Sequence, residues 1–184
     1  MSGSCFDGIP HENLENCPND EINGGLATVL YYVPTNFIKT FAKPEAGATF
    51  ESRVKVGKAG IVLNTGKSWK KIDIQMDMNE LKPLLSGNKG NKKFKAELEF
   101  LIPGVKGSGL GFVDAYKNVP CVYAVKDGNG KFFVIGTKDY GAYMDVADGT
   151  TGKNFDDDSG FTCKVIANHK PLIYEGEISL EPAS

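Results

Sequence analysis

Asp156, Asp157 and Asp158 form the densest group of carboxylates in the chain, and Asn154, Asp156 and Asp158 alternate ahead of Gly160. Calcium loops space oxygen ligands at alternate positions in this way, but they close with a bidentate glutamate. That glutamate is missing, so the segment reads as a solvated turn. Asp127-Gly-Asn-Gly has the same flavour and is accounted for by a tight hairpin turn. The four cysteines, Cys5, Cys17, Cys121 and Cys163, contain no C-x-x-C spacing, and the only histidines are His11 and His169. No zinc set is expected from them. Cys121 and Cys163 lie in apolar runs and read as small buried hydrophobes. Cys5 and Cys17 flank a polar stretch and could pair. Gly107-Ser-Gly-Leu-Gly lacks the lysine of a P-loop and the spacing of G-x-G-x-x-G. A nucleophilic Ser or Cys needs a base, but His11 and His169 sit in polar, turn-prone stretches, and no G-x-S-x-G elbow exists. Carboxylate pairs for glycoside chemistry meet only in space. Trp69 is the sole tryptophan, a poor supply of sugar-stacking surface. The expectation is therefore a non-enzyme with no catalytic residue, no cofactor site and no metal site.

The rest of the composition points the same way. The chain has 184 residues, enough for one domain with its own core, and 41% hydrophobic against 24% charged residues marks it as globular. Its 21 basic and 23 acidic side chains leave a net charge of -2, which argues against tight nucleic-acid binding. Twenty-two glycines and nine prolines call for many turns, as in an all-β chain. Met-Ser-Gly-Ser-Cys does not open a basic region followed by an apolar stretch, and no apolar run is long enough to span a membrane. A cytoplasmic product with no membrane partner is expected.

Residues 1–25 are rich in Pro, Gly, Asn and Asp and read as an arm. Residues 26–184 then read as a single β-rich domain. Leu26–Val33 is β-branched and aromatic, a first strand ended by Pro34. Val54 and Val56 suit a short edge strand. From 71 to 78, Ile72, Ile74, Met76 and Met78 alternate with Lys71, Asp73, Gln75 and Asp77, the period of a half-buried strand. From 94 to 102, Phe94, Ala96, Leu98, Phe100 and Ile102 alternate with Lys95, Glu97 and Glu99. Between the two runs lies Ser86-Gly87-Asn88-Lys89-Gly90-Asn91-Lys92-Lys93, without one apolar side chain. It reads as the exposed tip of a long hairpin pairing both runs, with Pro83 at an edge or bulge. Ser108–Lys117 is the one helix expected, with Ser108 as its cap. Cys121–Val125 and Phe132–Gly136 form a hairpin. Ala142–Val146 is a short strand, 148–160 a long polar loop, and 161–167 and 172–178 are closing strands.

From about Lys93 to Gly176 the chain resembles the tail tube proteins of long-tailed bacteriophages. The resemblance is carried by ELEFLIPG (97–104), LGFVDAYKNVP (110–120), VYAVKDGNGKFFVIGT (122–137) and AYMDVADGTTG (142–152). Asp158, Gly160 and a last strand ending Tyr174-Glu175-Gly176 complete it. It implies an antiparallel β-sandwich or partial barrel, with one flanking helix and a long protruding hairpin. It also implies a virion structural protein assembled in the host cytoplasm. Copies would form homohexameric rings that stack into a tube for DNA ejection, with the tip at 86–93 reaching the next ring. Tape measure, terminator and sheath proteins would be its tail partners, and DNA would pass without specific binding.

Lys71, Asp73, Gln75, Asp77, Lys95, Glu97 and Glu99 would share the outward face of the two alternating runs. Acidic residues predominate among them, so such a face would repel phosphate as the lining of a lumen; an ordinary solvated face is the alternative. Other readings of the whole chain are a tail terminator or head decoration protein of similar fold and, from a different class, a β-sandwich ligand-binding module.

Overall fold

A computed structural model describes residues 8–45, 47 and 49–184. Among these the chain forms, in order, β1 (Leu26–Pro34), β2 (Ile38–Phe41), β3 (Lys55–Val56), β4 (Ile61–Leu63), β5 (Lys70–Asp73), β6 (Glu80–Ser86) and β7 (Lys93–Pro103). Helix α1 (Gly107–Tyr116) follows, then β8 (Cys121–Asp127), β9 (Phe132–Ile135), β10 (Tyr143–Thr150), β11 (Gly160–Ala167) and β12 (Leu172–Tyr174). Residues 8–24 hold neither strand nor helix. Cys5, and with it the pairing of Cys5 with Cys17, lies outside the described residues. No described helix is long and apolar enough to cross a membrane.

The strands build a six-stranded sheet in the order β3-β12-β9-β8-β1-β5, a four-stranded sheet β10-β11-β7-β6, and a ribbon β2-β4. Pairing is antiparallel throughout except between β12 and β3. One face of the six-stranded sheet packs on the four-stranded sheet. Leu30, Tyr123, Val125 and Ile135 there meet Ala96, Leu98, Phe100, Cys163 and Val165. The other face is covered by the ribbon, where Val33, Val122, Ala124 and Val134 meet Ile38 and Ile61 around Trp69. The chain is thus a β-sandwich with a third, smaller layer and one short helix. The double cover explains why Cys121-Val-Tyr-Ala-Val reads as an unbroken apolar run. Its odd and even residues enter different cores, and none meets solvent. The four-stranded sheet has only one covered face, so β7 alternates instead, with Ala96, Leu98 and Phe100 buried and Glu99 exposed.

The two alternating runs do not pair with each other. Strand β5 pairs with β1 in the six-stranded sheet, and β6 is the partner of β7. The chain changes sheet between adjacent residues. Ile74 N–H donates to Thr28 O on β1 at 2.8 Å, and Gln75 N–H donates to Leu101 O on β7 at 2.9 Å. Asp77 then takes φ 58°, and Asn79 braces the corner. Its Oδ1 accepts from Leu101 N–H at 3.2 Å while its Nδ2 donates to Gln75 O. Met76 and Met78 lie in this corner, exposed, although their spacing continues the strand period. Pro83 sits on edge strand β6, opposite Ala96.

Other boundaries differ by less. Helix α1 starts at Gly107 behind Lys106 without a side-chain cap, so Ser108 lies inside the first turn and is not the N-cap. Strand β10 runs to Thr150, well beyond Val146, and β12 stops at Tyr174. Phe161 explains two glycines. A Cβ at Gly149, its partner on β10, would lie 2.6 Å from the ring, and one at Gly109 on α1 would lie 3.3 Å from it. The ring is clasped between strand and helix, and it is the glycine at 149 that makes the room for it. Cys121 and Cys163 are fully buried in the sandwich core, as expected of them.

Candidate assembly surface

The hairpin of β6 and β7 is closed by Ser86 opposite Lys93, and residues 87–92 turn between them. Gly87 has φ 104°, and a Cβ there would meet Asn91 O at 2.4 Å, so the turn needs glycine at this position. Every residue from Ser86 to Lys93 is exposed, with Lys89, Lys92 and Lys93 as its cations. The tip is therefore where its polar composition placed it. The strands leading to it are a different matter. Leu84, Leu85 and Phe94 are exposed as well, so the outer part of the hairpin stands away from the core with apolar side chains uncovered. The alternation of β7 put Phe94 on the inward face, and it is on that face. The sandwich simply does not extend so far.

The seven residues expected to share one face are divided. Lys71 and Asp73 stand on β5 in the six-stranded sheet, joined by an ion pair at 3.2 Å. Gln75 and Asp77 belong to the corner and to no strand. Lys95, Glu97 and Glu99 alone share the outer face of β7. The register sets Lys82 opposite Glu97, Glu80 and Lys164 opposite Glu99, and Leu84 opposite Lys95. Glu97 accepts from Lys164 Nζ at 2.8 Å, which holds its carboxyl below the usual range and raises the Lys164 ammonium. Lys82 pairs with Glu80 at 2.8 Å, and its ammonium is likewise raised. Counting these neighbours, Lys82, Lys95 and Lys164 stand against Glu80, Glu97 and Glu99, and β10 adds Asp145 beside Lys164 and Asp148 opposite Thr162. Cross-strand lysines from segments far apart in sequence offset part of this acidic charge.

The remaining candidates resolve into structural roles. Asp157 Oδ2 accepts from Lys153 N–H and Asn154 N–H, each at 2.8 Å, which holds its carboxyl low and fixes the turn. Asp127 Oδ1 accepts from Asn129 N–H and Lys131 N–H in the β8–β9 turn. Among the described residues no three His, Cys, Asp or Glu side chains stand close enough to hold a metal. Trp69 is buried under the ribbon. His169 is half-buried, its ring 6.5 Å from that of Tyr140 and near-parallel to it at 19°. Together they border a cleft that no sequence pattern announced, because its walls come from residues 41–45, 53, 137–140 and 169–172.

No family model matches this chain, and neither a curated protein nor a solved structure was found to match it.

Proposed function

We propose that this chain is a structural subunit that assembles with copies of itself, as the tail tube subunit of a long-tailed phage. Rings, hexameric by the resemblance, would stack into a conduit for DNA. The observation that carries the self-assembly is the β6–β7 hairpin. Leu84, Leu85 and Phe94 are uncovered on a strand pair that ends in a polar tip. Exposed apolar side chains on an open sheet edge call for a partner, and pairing between copies is the direct way to remove both liabilities. Strands β6 and β10 are edges of the four-stranded sheet, which leaves two sites for such pairing. The carboxylates on the outer face of the four-stranded sheet also suit a surface along which duplex DNA slides without being gripped. Tape measure, terminator and sheath proteins are the further tail partners this reading implies.

Negative-stain microscopy and sedimentation of the purified protein across a concentration series test it. Rings or tubes are expected at high concentration, and removal of residues 87–92 should leave the fold intact while blocking stacking. A protein that stays monomeric at every concentration sinks the tube. Rings that never stack would point instead to a terminator or decoration protein.

A further inference from the structure

The end of the molecule bearing the hairpin tip also bears the cleft. It encloses about 370 Å³. Phe41, Pro44 and Leu172 give it an apolar floor, and Lys43, Arg53, Lys138 and Lys170 surround them against Glu45 and Asp139 among the described residues. None of these four cations has a carboxylate within ion-pair distance among the described residues. Lys170 Nζ donates to Arg53 O at 2.7 Å, and Lys138 Nζ donates to Lys39 O at 2.8 Å, so both are held in place by carbonyls alone. Burial, with the charge of Arg53 beside it, pulls the Lys170 pKa down. A wider depression shares Tyr140, His169 and Lys170 and leads on to Lys93 and Lys95 at the hairpin base. In a chain of net charge -2 this end is short of negative charge.

The opposite end of β11 supplies the complement. Phe155 is 102% exposed, the most exposed large apolar side chain among the described residues. Asp156, Asp157 and Asp158 follow it. Asp157 is spent on the turn, and Asp156 and Asp158 face solvent without an ion-pair partner among the described residues. Loop and cleft are separated by the length of β11, which spans eight residues. At about 3.3 Å per residue this is roughly 25 Å, so the loop cannot enter its own cleft.

We propose that the 154–158 loop of one copy seats in the 41–45/137–140/169–172 cleft of the next, Phe155 on the apolar floor and Asp156 and Asp158 against Arg53, Lys170 and Lys43. A dry cavity of roughly 150 Å³ already admits benzene, so a phenyl ring fits with room for the loop backbone. The contact joins two different surfaces, so it repeats head to tail and does not close as a dimer. One loop in one cleft is a small interface, and it gains strength when all subunits of a ring engage together. This contact rests on the self-assembly reading and names where stacked copies meet.

Two charge reversals test it. Asp156→Lys with Asp158→Lys makes the loop basic; Arg53→Glu with Lys170→Glu makes the cleft acidic. Each variant alone should need at least tenfold more protein to polymerise than wild type, and an equimolar mixture should restore polymerisation, because each then meets the opposite charge. Phe155→Ser should raise the polymerisation threshold about tenfold with no change in melting temperature, and it guards against misfolding of the cleft variant. Variants that polymerise like wild type, or a mixture that fails while Phe155→Ser is neutral, overturn the contact but leave self-assembly standing. A wild-type protein that never polymerises overturns both.

Discussion

Leu85 and Phe94 face each other across the β6–β7 ladder, and both are open to solvent, at 59% and 46%. A directly opposed apolar pair stabilises a hairpin by less than about 1 kcal/mol, whereas full burial of one such side chain is worth about 1.5–3 kcal/mol. The pair therefore has more to gain from a neighbouring copy than from its own fold. Leu85→Ser with Phe94→Ser should change unfolding free energy by less than about 1 kcal/mol. The same double substitution should raise the concentration needed for assembly at least tenfold. Denaturant titration followed by Trp69 fluorescence, and sedimentation of the native protein, separate the two quantities.

Asn79 stands in for a missing stretch of ladder. It serves Leu101 N–H and Gln75 O at the point where the chain passes between sheets. Asn79→Ala leaves both groups without that partner in a half-buried setting and should cost about 1–3 kcal/mol of stability. Asn79→Asp keeps the acceptor for Leu101 and should cost less. Equal losses in the two variants, measured by denaturant unfolding, would show that the bond to Leu101 is not what holds the corner.

That corner marks where the sequence stops being readable. Strands β1, β7 and the β8–β9 hairpin follow directly from apolar runs and turn residues, because each stays in one sheet along its length. Residues 70–78 do not. Their period of two continues while the backbone leaves one sheet for another, and Met76 and Met78 inherit a spacing without a core to enter. The far half of β10 is hidden for the opposite reason. Asp148, Gly149 and Thr150 look like loop residues, yet they suit an edge strand whose glycine makes room for Phe161. The hairpin tip was legible from its polar composition. The cleft was not, since its lining residues come together only through the fold.

Gly149 and Gly109 should respond differently to alanine although both touch Phe161. The methyl group added at Gly149 would stand 2.6 Å from a ring atom with the ring held on its far side, so Gly149→Ala should destabilise by about 1–3 kcal/mol. At Gly109 the approach is 3.3 Å, and alanine gains about 0.8–1.0 kcal/mol of helix propensity. Gly109→Ala should therefore come out near neutral. Thermal unfolding of the two variants decides it, and a Gly149→Ala protein as stable as wild type would mean the ring is not clasped.

The two core thiols should report on folding and on alkaline pH. Burial pushes Cys121 from its ordinary 9.0 up to about 12, with a hydrogen bond from Tyr123 working the other way, and burial pushes Cys163 up to about 11. Tyr32 rises from 10.0 to about 12 through burial and the neighbouring Tyr116. Once unfolded, these groups ionise near their ordinary values. Above pH 9 the unfolded chain therefore loses protons that the folded chain keeps, and stability falls as pH climbs from 9 towards 12; below pH 9 these groups leave it unchanged. At pH 8, after reduction, a thiol reagent should modify exposed Cys17 within minutes while Cys121 and Cys163 react only as fast as the protein opens. Peptide mass mapping against time reads this directly. Labelling of Cys121 or Cys163 at the rate of Cys17 would mean that the sandwich core is open to solvent.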